Sequence, residues 1–150
     1  MPQSLARLWT HLIFSTKDRF SFLSDKALRS DTHAYLATVL RSHECETLIV
    51  GGVGDHVHAL FDLSRNYSIS QIVKEIKRTS SAWIKDVSRH RNFHWQRGYG
   101  AFSVSQSHLD QVVRYIERQE EHHRRTTFQD EYRAFLKKYD VDYDERYVWD

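Results

Sequence analysis

Cysteine is almost missing from this chain. Cys45 is the only one in 150 residues, which excludes an internal disulfide and any zinc cage built on several thiolates. No apolar run approaches membrane-spanning length, and the opening MPQSLARLW lacks the pattern of a signal peptide. A cytoplasmic protein is the simplest reading. Neither a Gly-x4-Gly-Lys-Ser/Thr loop nor a Gly-x-Gly-x-x-Gly turn is present, so nucleotide-driven chemistry has no support. Linkers, internal repeats and low-complexity blocks are absent too, and the chain reads as one domain over residues 1–150. The net charge of +2 is too small to speak for a nucleic-acid partner.

What is present is a globular composition, 40% apolar and 28% charged, enough to fill a core. Leu8 to Ser15 is β-branched and aromatic and reads as a first strand, followed by a polar turn through Lys17-Asp18-Arg19. Asp25 caps a helix whose Leu28, Tyr35, Leu36, Val39 and Leu40 recur at helical spacing to Ser42. Thr47 to Val50 is a second strand, and Gly51-Gly52-Val53-Gly54-Asp55 supplies a turn into a third over His56–Leu63. The same glycines also permit a phosphate cradle. Ser68 caps the clearest helix, with Ile69, Ile72, Val73, Ile76, Ser80, Trp83, Ile84 and Val87 in one stripe. Its other face carries Lys74, Lys77, Arg78, Lys85 and Arg89, either a solvated face or a phosphate-binding one. After an irregular stretch from His90 to Gly100, Ala101 to Ser105 alternates as a fourth strand. Helices follow from Ser107 to about His123 and from Phe128 through Tyr139, then an acidic, aromatic tail from Asp140.

The order β-α-β-β-α-β predicts an α+β, ferredoxin-like (RRM-like) split βαβ sandwich with additional C-terminal helices. Its antiparallel sheet carries helices on one face, which leaves the other face open for a ligand or partner.

The chain stops being generic at Asp55-His56-Val57-His58. On a strand, residues i and i+2 share a face at roughly 6–7 Å. Two imidazoles so placed can grip one metal ion, or they are simply polar residues on a wet strand face. On the third helix, Leu109, Val112, Val113 and Ile116 form the core stripe. His108, Tyr115, Gln119 and His122 lie on its flank, roughly 80–140° from Leu109. Tyr115 and Gln119 are i and i+4, direct neighbours. Gln119 could add an amide oxygen to the two imidazoles, a set suited to Mg²⁺ or Mn²⁺. Tyr115 then stands as a nucleophile beside a Lewis acid, or as an amphipathic boundary residue with a wet hydroxyl.

Asp55-His56-Val57-His58, Gly98-Tyr99-Gly100-Ala101-Phe102-Ser103 and Tyr115-Ile116-x-x-Gln119 together resemble the single-tyrosine HUH transposases of the bacterial insertion sequence 200/605 class, which include the REP-associated tyrosine transposases. The similarity spans essentially the whole chain, with Ala59 and Gly54 as local departures that touch packing and the turn. The resemblance implies that His56, His58 and Gln119 bind a divalent metal, Mg²⁺ or Mn²⁺. Tyr115 would attack a phosphodiester of single-stranded DNA, forming a 5′-phosphotyrosine and releasing a 3′-hydroxyl. It implies a bacterial, nucleoid-associated homodimer that recognises DNA hairpins at element ends and uses no nucleotide cofactor or membrane.

Lys74, Lys77, Arg78 and Arg97 are the expected phosphate contacts, and Phe93 and Trp95 are candidates for stacking on bases or for core packing. His122 and His123 suit a helix C-terminus, where the dipole favours cations. His108 could touch DNA or support the site, and His11 could neighbour it across the sheet. Glu120 and Glu121 read as solvated. Two other classes stay open: a non-catalytic binder of structured single-stranded DNA, and a small-molecule domain with its histidines on a wet strand.

Overall fold

The computed structural model describes residues 2–150. In chain order the elements are β1 (Trp9–Ser15), α1 (Lys26–Ser42), β2 (Thr47–Gly52), β3 (His56–Asp62), α2 (Ile69–Val87), β4 (Gly100–Ser103), α3 (Leu109–Glu117), α4 (Gln119–His122) and α5 (Phe128–Lys138). The sheet is antiparallel with strand order β2-β3-β1-β4. That is the ferredoxin-like arrangement expected from the element order. Helix caps form as the sequence predicts: Asp25 accepts from the Ala27 amide, and Ser68 forms a capping box with Gln71. The third helix is shorter than its periodicity suggests. It breaks at Arg118 (φ −97°, ψ 19°), so that Gln119–His122 is a separate turn.

Period-two alternation divides the strands between two faces. Leu12, Phe14, Val57, Ala59 and Phe61 pack with Leu36 and Leu40 of α1 and with Ile72, Val73, Ile76 and Ile84 of α2. The opposite face carries His11, Ile13, His56, His58 and Leu60, and here the structure corrects the expectation of an open sheet. Leu60 and Trp9 pack under Leu109 and Ile116 of α3, while Ile13 and Phe102 pack under Phe128, Tyr132 and Leu136 of α5. Each added helix has its own apolar stripe, and bare strand residues are the only surface left to bury it.

Two glycines set how closely those helices approach. A Cβ on Gly51 would stand 2.8 Å from Ile116 Cγ2, and one on Gly100 would stand 2.7 Å from the Tyr132 ring. Their missing side chains let α3 and α5 settle on β2 and β4. The tail packs as well. Glu145 pairs with Arg133 at 2.7 Å, and the Asp150 carbonyl accepts from the Gly98 amide at 2.9 Å.

Candidate functional site

β3 places His56 and His58 on the covered face, and both are fully buried. The Ile13↔His58 register sets His11 of β1 diagonally beside His58, with His11 Nε2 and His58 Nδ1 2.8 Å apart. Gln119, just past the break in the tyrosine helix, turns inward. Its Oε1 accepts from His56 Nε2 at 2.9 Å. The two histidines and the glutamine of the expected ligand set are therefore in one place.

At their centre lies a residue that the sequence reading missed. Glu131 of α5 is 3% exposed. Its Oε1 is 2.9 Å from His58 Nε2, 3.3 Å from His56 Nε2 and 3.2 Å from His123 Nε2. Its Oε2 accepts from Gln119 Nε2 at 3.1 Å and from the Tyr115 hydroxyl, and lies 3.2 Å from His122 Nε2. A signal was available: Glu131 lies among Phe128, Tyr132 and Phe135, so a carboxylate interrupts an apolar helical stripe. His123, expected as a helix-terminal cation rather than a ligand, points inward as a fourth member of the cluster. One ligand atom from each of His56, His58, His123 and Glu131 lies within 4.8 Å of the others.

The surroundings of the three imidazoles share a pattern. Each has Nδ1 engaged outward: His56 with Asp55 Oδ1 at 2.7 Å, His58 with His11, and His123 with the Thr126 carbonyl at 2.7 Å. Each turns Nε2 to the shared centre. Outer partners on the far ring nitrogen are the usual way in which metal-binding histidines are oriented. His123 Nε2 is buried and lies 3.2 Å from Glu131 Oε1 without the alignment of a hydrogen bond. It is a polar atom aimed into the cluster that a cation would satisfy. The donor set therefore fits a divalent ion, with the three imidazoles, the Glu131 carboxylate and the Gln119 amide oxygen as candidate ligands.

Charges inside the cluster are already divided. Burial favours neutral His56, but the Asp55 and Glu131 carboxylates outweigh it and raise its pKa to about 9. Both its nitrogens face acceptors, as a protonated ring requires. For His58 burial dominates and lowers the value to about 4. Burial alone would raise the Glu131 carboxyl, yet the imidazoles of His123, His56 and His58 hold it far below the usual carboxylate range. Burial, then the Glu131 charge, pushes the Tyr115 phenol upward. The Asp55 and Glu131 carboxylates thus favour the protonated form of His56, and burial beside Glu131 favours the protonated form of Tyr115.

Tyr115 reaches this cluster within its own chain: its ring centroid is 5.8 Å from that of His58 and 6.3 Å from that of His11. The hydroxyl is also 3.3 Å from His122 Nε2. His108, by contrast, bonds the Ser105 hydroxyl and takes no part. Glu120 is half exposed and pairs with Arg29 at 2.5 Å.

The expected DNA contacts are scattered. α2 packs on the sheet face opposite the histidines, so Lys74 and Arg78 lie across the sheet from the cluster, and Arg78 pairs with Glu75 at 2.6 Å. Lys77 is not a free cation. Its Nζ donates to the carbonyls of Gln96 at 2.8 Å and Gly98 at 2.7 Å, pinning that loop to α2. Arg97 is exposed. Phe93 and Trp95 belong to the core under α2, with Trp95 Nε1 donating to Ser80 Oγ at 2.9 Å, so neither ring is offered to a base.

The fold has solved counterparts. A protein of Deinococcus radiodurans R1 described as a candidate transposase superposes with a TM-score of 0.63 at 24% identity, over 79% of this chain and 98% of the other. A REP-associated tyrosine transposase solved with a REP hairpin superposes with a TM-score of 0.59 at 16% identity, over 82% and 73%. At these identities the likeness is one of fold. No functionally curated protein matches the chain. The family model described as IS200-like transposase matches residues 4–119, which takes in His56, His58, Tyr115 and Gln119. With its ferredoxin-like sheet and a histidine pair under a tyrosine helix, this chain belongs to the IS200-like transposase family.

Proposed function

We propose that this protein cuts and rejoins single-stranded DNA by metal-dependent transesterification. Tyr115 Oη attacks a backbone phosphorus, the bond to the 3′-oxygen breaks, and a 5′-phosphotyrosine forms as a 3′-hydroxyl leaves. Glu131 Oε2 accepts a hydrogen bond from the Tyr115 hydroxyl and so orients it; the phenol proton passes to solvent as Oη attacks, and the departing 3′-oxygen takes up a proton from solvent. The observation that carries this reading is the convergence of the Tyr115 hydroxyl and the Nε2 atoms of His56 and His58 on one carboxylate. A bound divalent ion would supply the Lewis acidity that draws charge from the phosphate. Three imidazoles in the donor set favour Mn²⁺ over Mg²⁺, whose usual ligands are all oxygen.

The substrate is taken to be hairpin-bearing single strands, as in the related protein solved with a REP hairpin. A homodimer belongs to the same proposal, and sedimentation velocity tests it. The chemistry is tested by incubating the protein with labelled hairpin-bearing strands and Mn²⁺. A protein–DNA adduct that survives denaturing electrophoresis is expected from the wild type and not from Tyr115→Phe. An adduct of equal yield from Tyr115→Phe overturns the assignment of the nucleophile. Hairpin binding without any adduct would instead make the protein a non-catalytic binder of structured DNA.

A further inference from the structure

We propose that Arg114, Arg118 and Arg125 form a phosphate-binding groove that carries single-stranded DNA to Tyr115, an inference that rests on the proposed function. An open groove of about 580 Å³ runs along the outer side of α3 and α4, and these arginines line it together with Gln111, Tyr115 and Glu121. Tyr115 is the link between this surface and the buried cluster: its edge lines the groove and its hydroxyl touches Glu131.

Gln111, Arg114 and Tyr115 stand at i, i+3 and i+4 on one face of α3, and Arg118, at the break that ends the helix, lines the same groove. The α4 turn carries Arg125 round to the same side. Arg114 and Arg118 are separated by about 6 Å along the helix axis, with Tyr115 between them in sequence. Phosphates bound on both would hold the backbone against the tyrosine.

All three guanidiniums are exposed, and among the described residues none has a side-chain hydrogen-bond or ion-pair partner. Arg7, Arg29, Arg78, Arg133 and Arg146, in contrast, are each paired with a carboxylate. Glu121 is the one acidic side chain lining the groove, so three positive charges face one negative charge. A planar fork of donors suits phosphate oxygens, and a row of unpaired forks suits a polyanion. The basic face of α2 offers comparable charge but lies across the sheet from the tyrosine.

The test is fluorescence anisotropy of a labelled, unstructured DNA oligonucleotide across a salt series. The variants are Arg114→Ala/Arg118→Ala/Arg125→Ala, the same triple to Lys, and Lys74→Ala/Lys85→Ala/Arg89→Ala on α2. Each phosphate contact contributes about 0.7 to the slope of log K against log salt. The alanine triple in the groove should flatten that slope by about 2 and weaken binding roughly tenfold or more at moderate salt. The lysine triple should restore the slope, and the α2 triple should leave it unchanged. An unchanged melting temperature and Mn²⁺ response in the alanine triple exclude misfolding as the cause. Wild-type slope and affinity in the alanine triple, loss only in the α2 triple, or no binding by the wild type would each overturn the groove. The two proposals fail separately: binding that depends on the arginines without any adduct sinks the transesterase and keeps the groove. An adduct with undiminished binding by the alanine triple does the reverse.

Discussion

The Tyr115 hydroxyl donates to Oε2 of Glu131, and the other oxygen of that carboxylate is 2.9 Å from His58 Nε2. The proposed nucleophile and the histidine pair are thus joined through one side chain contributed by α5. Truncating α5 should therefore disable the site as surely as mutating the histidines.

Metal binding is the most direct check of that geometry. Mn²⁺ should raise the melting temperature, by the equivalent of about 2.7 kcal/mol at a hundredfold excess over Kd. His58→Ala and Glu131→Gln should each lose most of that shift, and His123→Ala part of it. Scanning fluorimetry with and without EDTA reads all three. A full Mn²⁺ shift in Glu131→Gln would remove the carboxylate from the ligand set.

Tyr115→Phe should fold. Its loss is one hydrogen bond to the Glu131 carboxylate, about 1.5–3 kcal/mol, so urea denaturation should show a cooperative transition at a modestly lower midpoint while adduct formation disappears.

Gly51→Ala should be costly although Gly51, the cross-strand partner of His58, offers no ligand atom of its own. The added Cβ meets Ile116 Cγ2 at 2.8 Å and the Ile116 carbonyl at 3.1 Å, so α3 must lift from β2. Overpacking of this kind costs about 1–3 kcal/mol. The same lift moves Gln119 and Tyr115, so Mn²⁺ affinity should fall together with stability. Gly98→Ala, whose Cβ would meet only the Asp150 carbonyl at 3.2 Å and the end of Gln96, should leave Mn²⁺ affinity intact.

Lys77→Met should destabilise more than Lys74→Met, because it strips charged hydrogen bonds from the carbonyls of Gln96 and Gly98. About 1.5–3 kcal/mol is the usual range for such a bond. Equal melting of the two variants would show that the loop does not need the ammonium.

Acid should destabilise the protein in a defined window. Burial, then the charges of Arg29 and His56, lowers His33 to about 4 from an ordinary value of 6.5, and its Nε2 is buried without a partner. The unfolded chain therefore takes up a proton first. The stability contributed by neutral His33 is complete above pH 6.5 and is lost as pH falls from there towards 4, at about 1.4 kcal/mol per unit. His33→Phe should flatten this part of the melting-temperature profile. An unchanged acid limb would assign the sensitivity to other groups.

Much of this was legible in the sequence, because it depends on neighbours along one element. The caps at Asp25 and Ser68, the split βαβ order, the shared face of His56 and His58 and the pairing of Tyr115 with Gln119 all follow from periods of two and 3.6. Contacts between elements did not follow. Lys77 looked like its basic neighbours on α2, and only the course of residues 96–98 across the helix shows its ammonium to be occupied.

The sequence by itself determined the fold class through the order of its elements and the imidazole pair through spacing on one strand, and its motifs carried the resemblance to the family. Only the tertiary structure decided that the sheet's second face is covered, that Glu131 and His123 enter the cluster, and that Tyr115 lies beside the histidines of its own chain. The reason is the docking of the C-terminal helices. Apolar stripes tell that a helix must be buried, but the residue it delivers to a distant strand depends on crossing and depth, which here are set by contacts such as Ile116 on Gly51 and Tyr132 on Gly100.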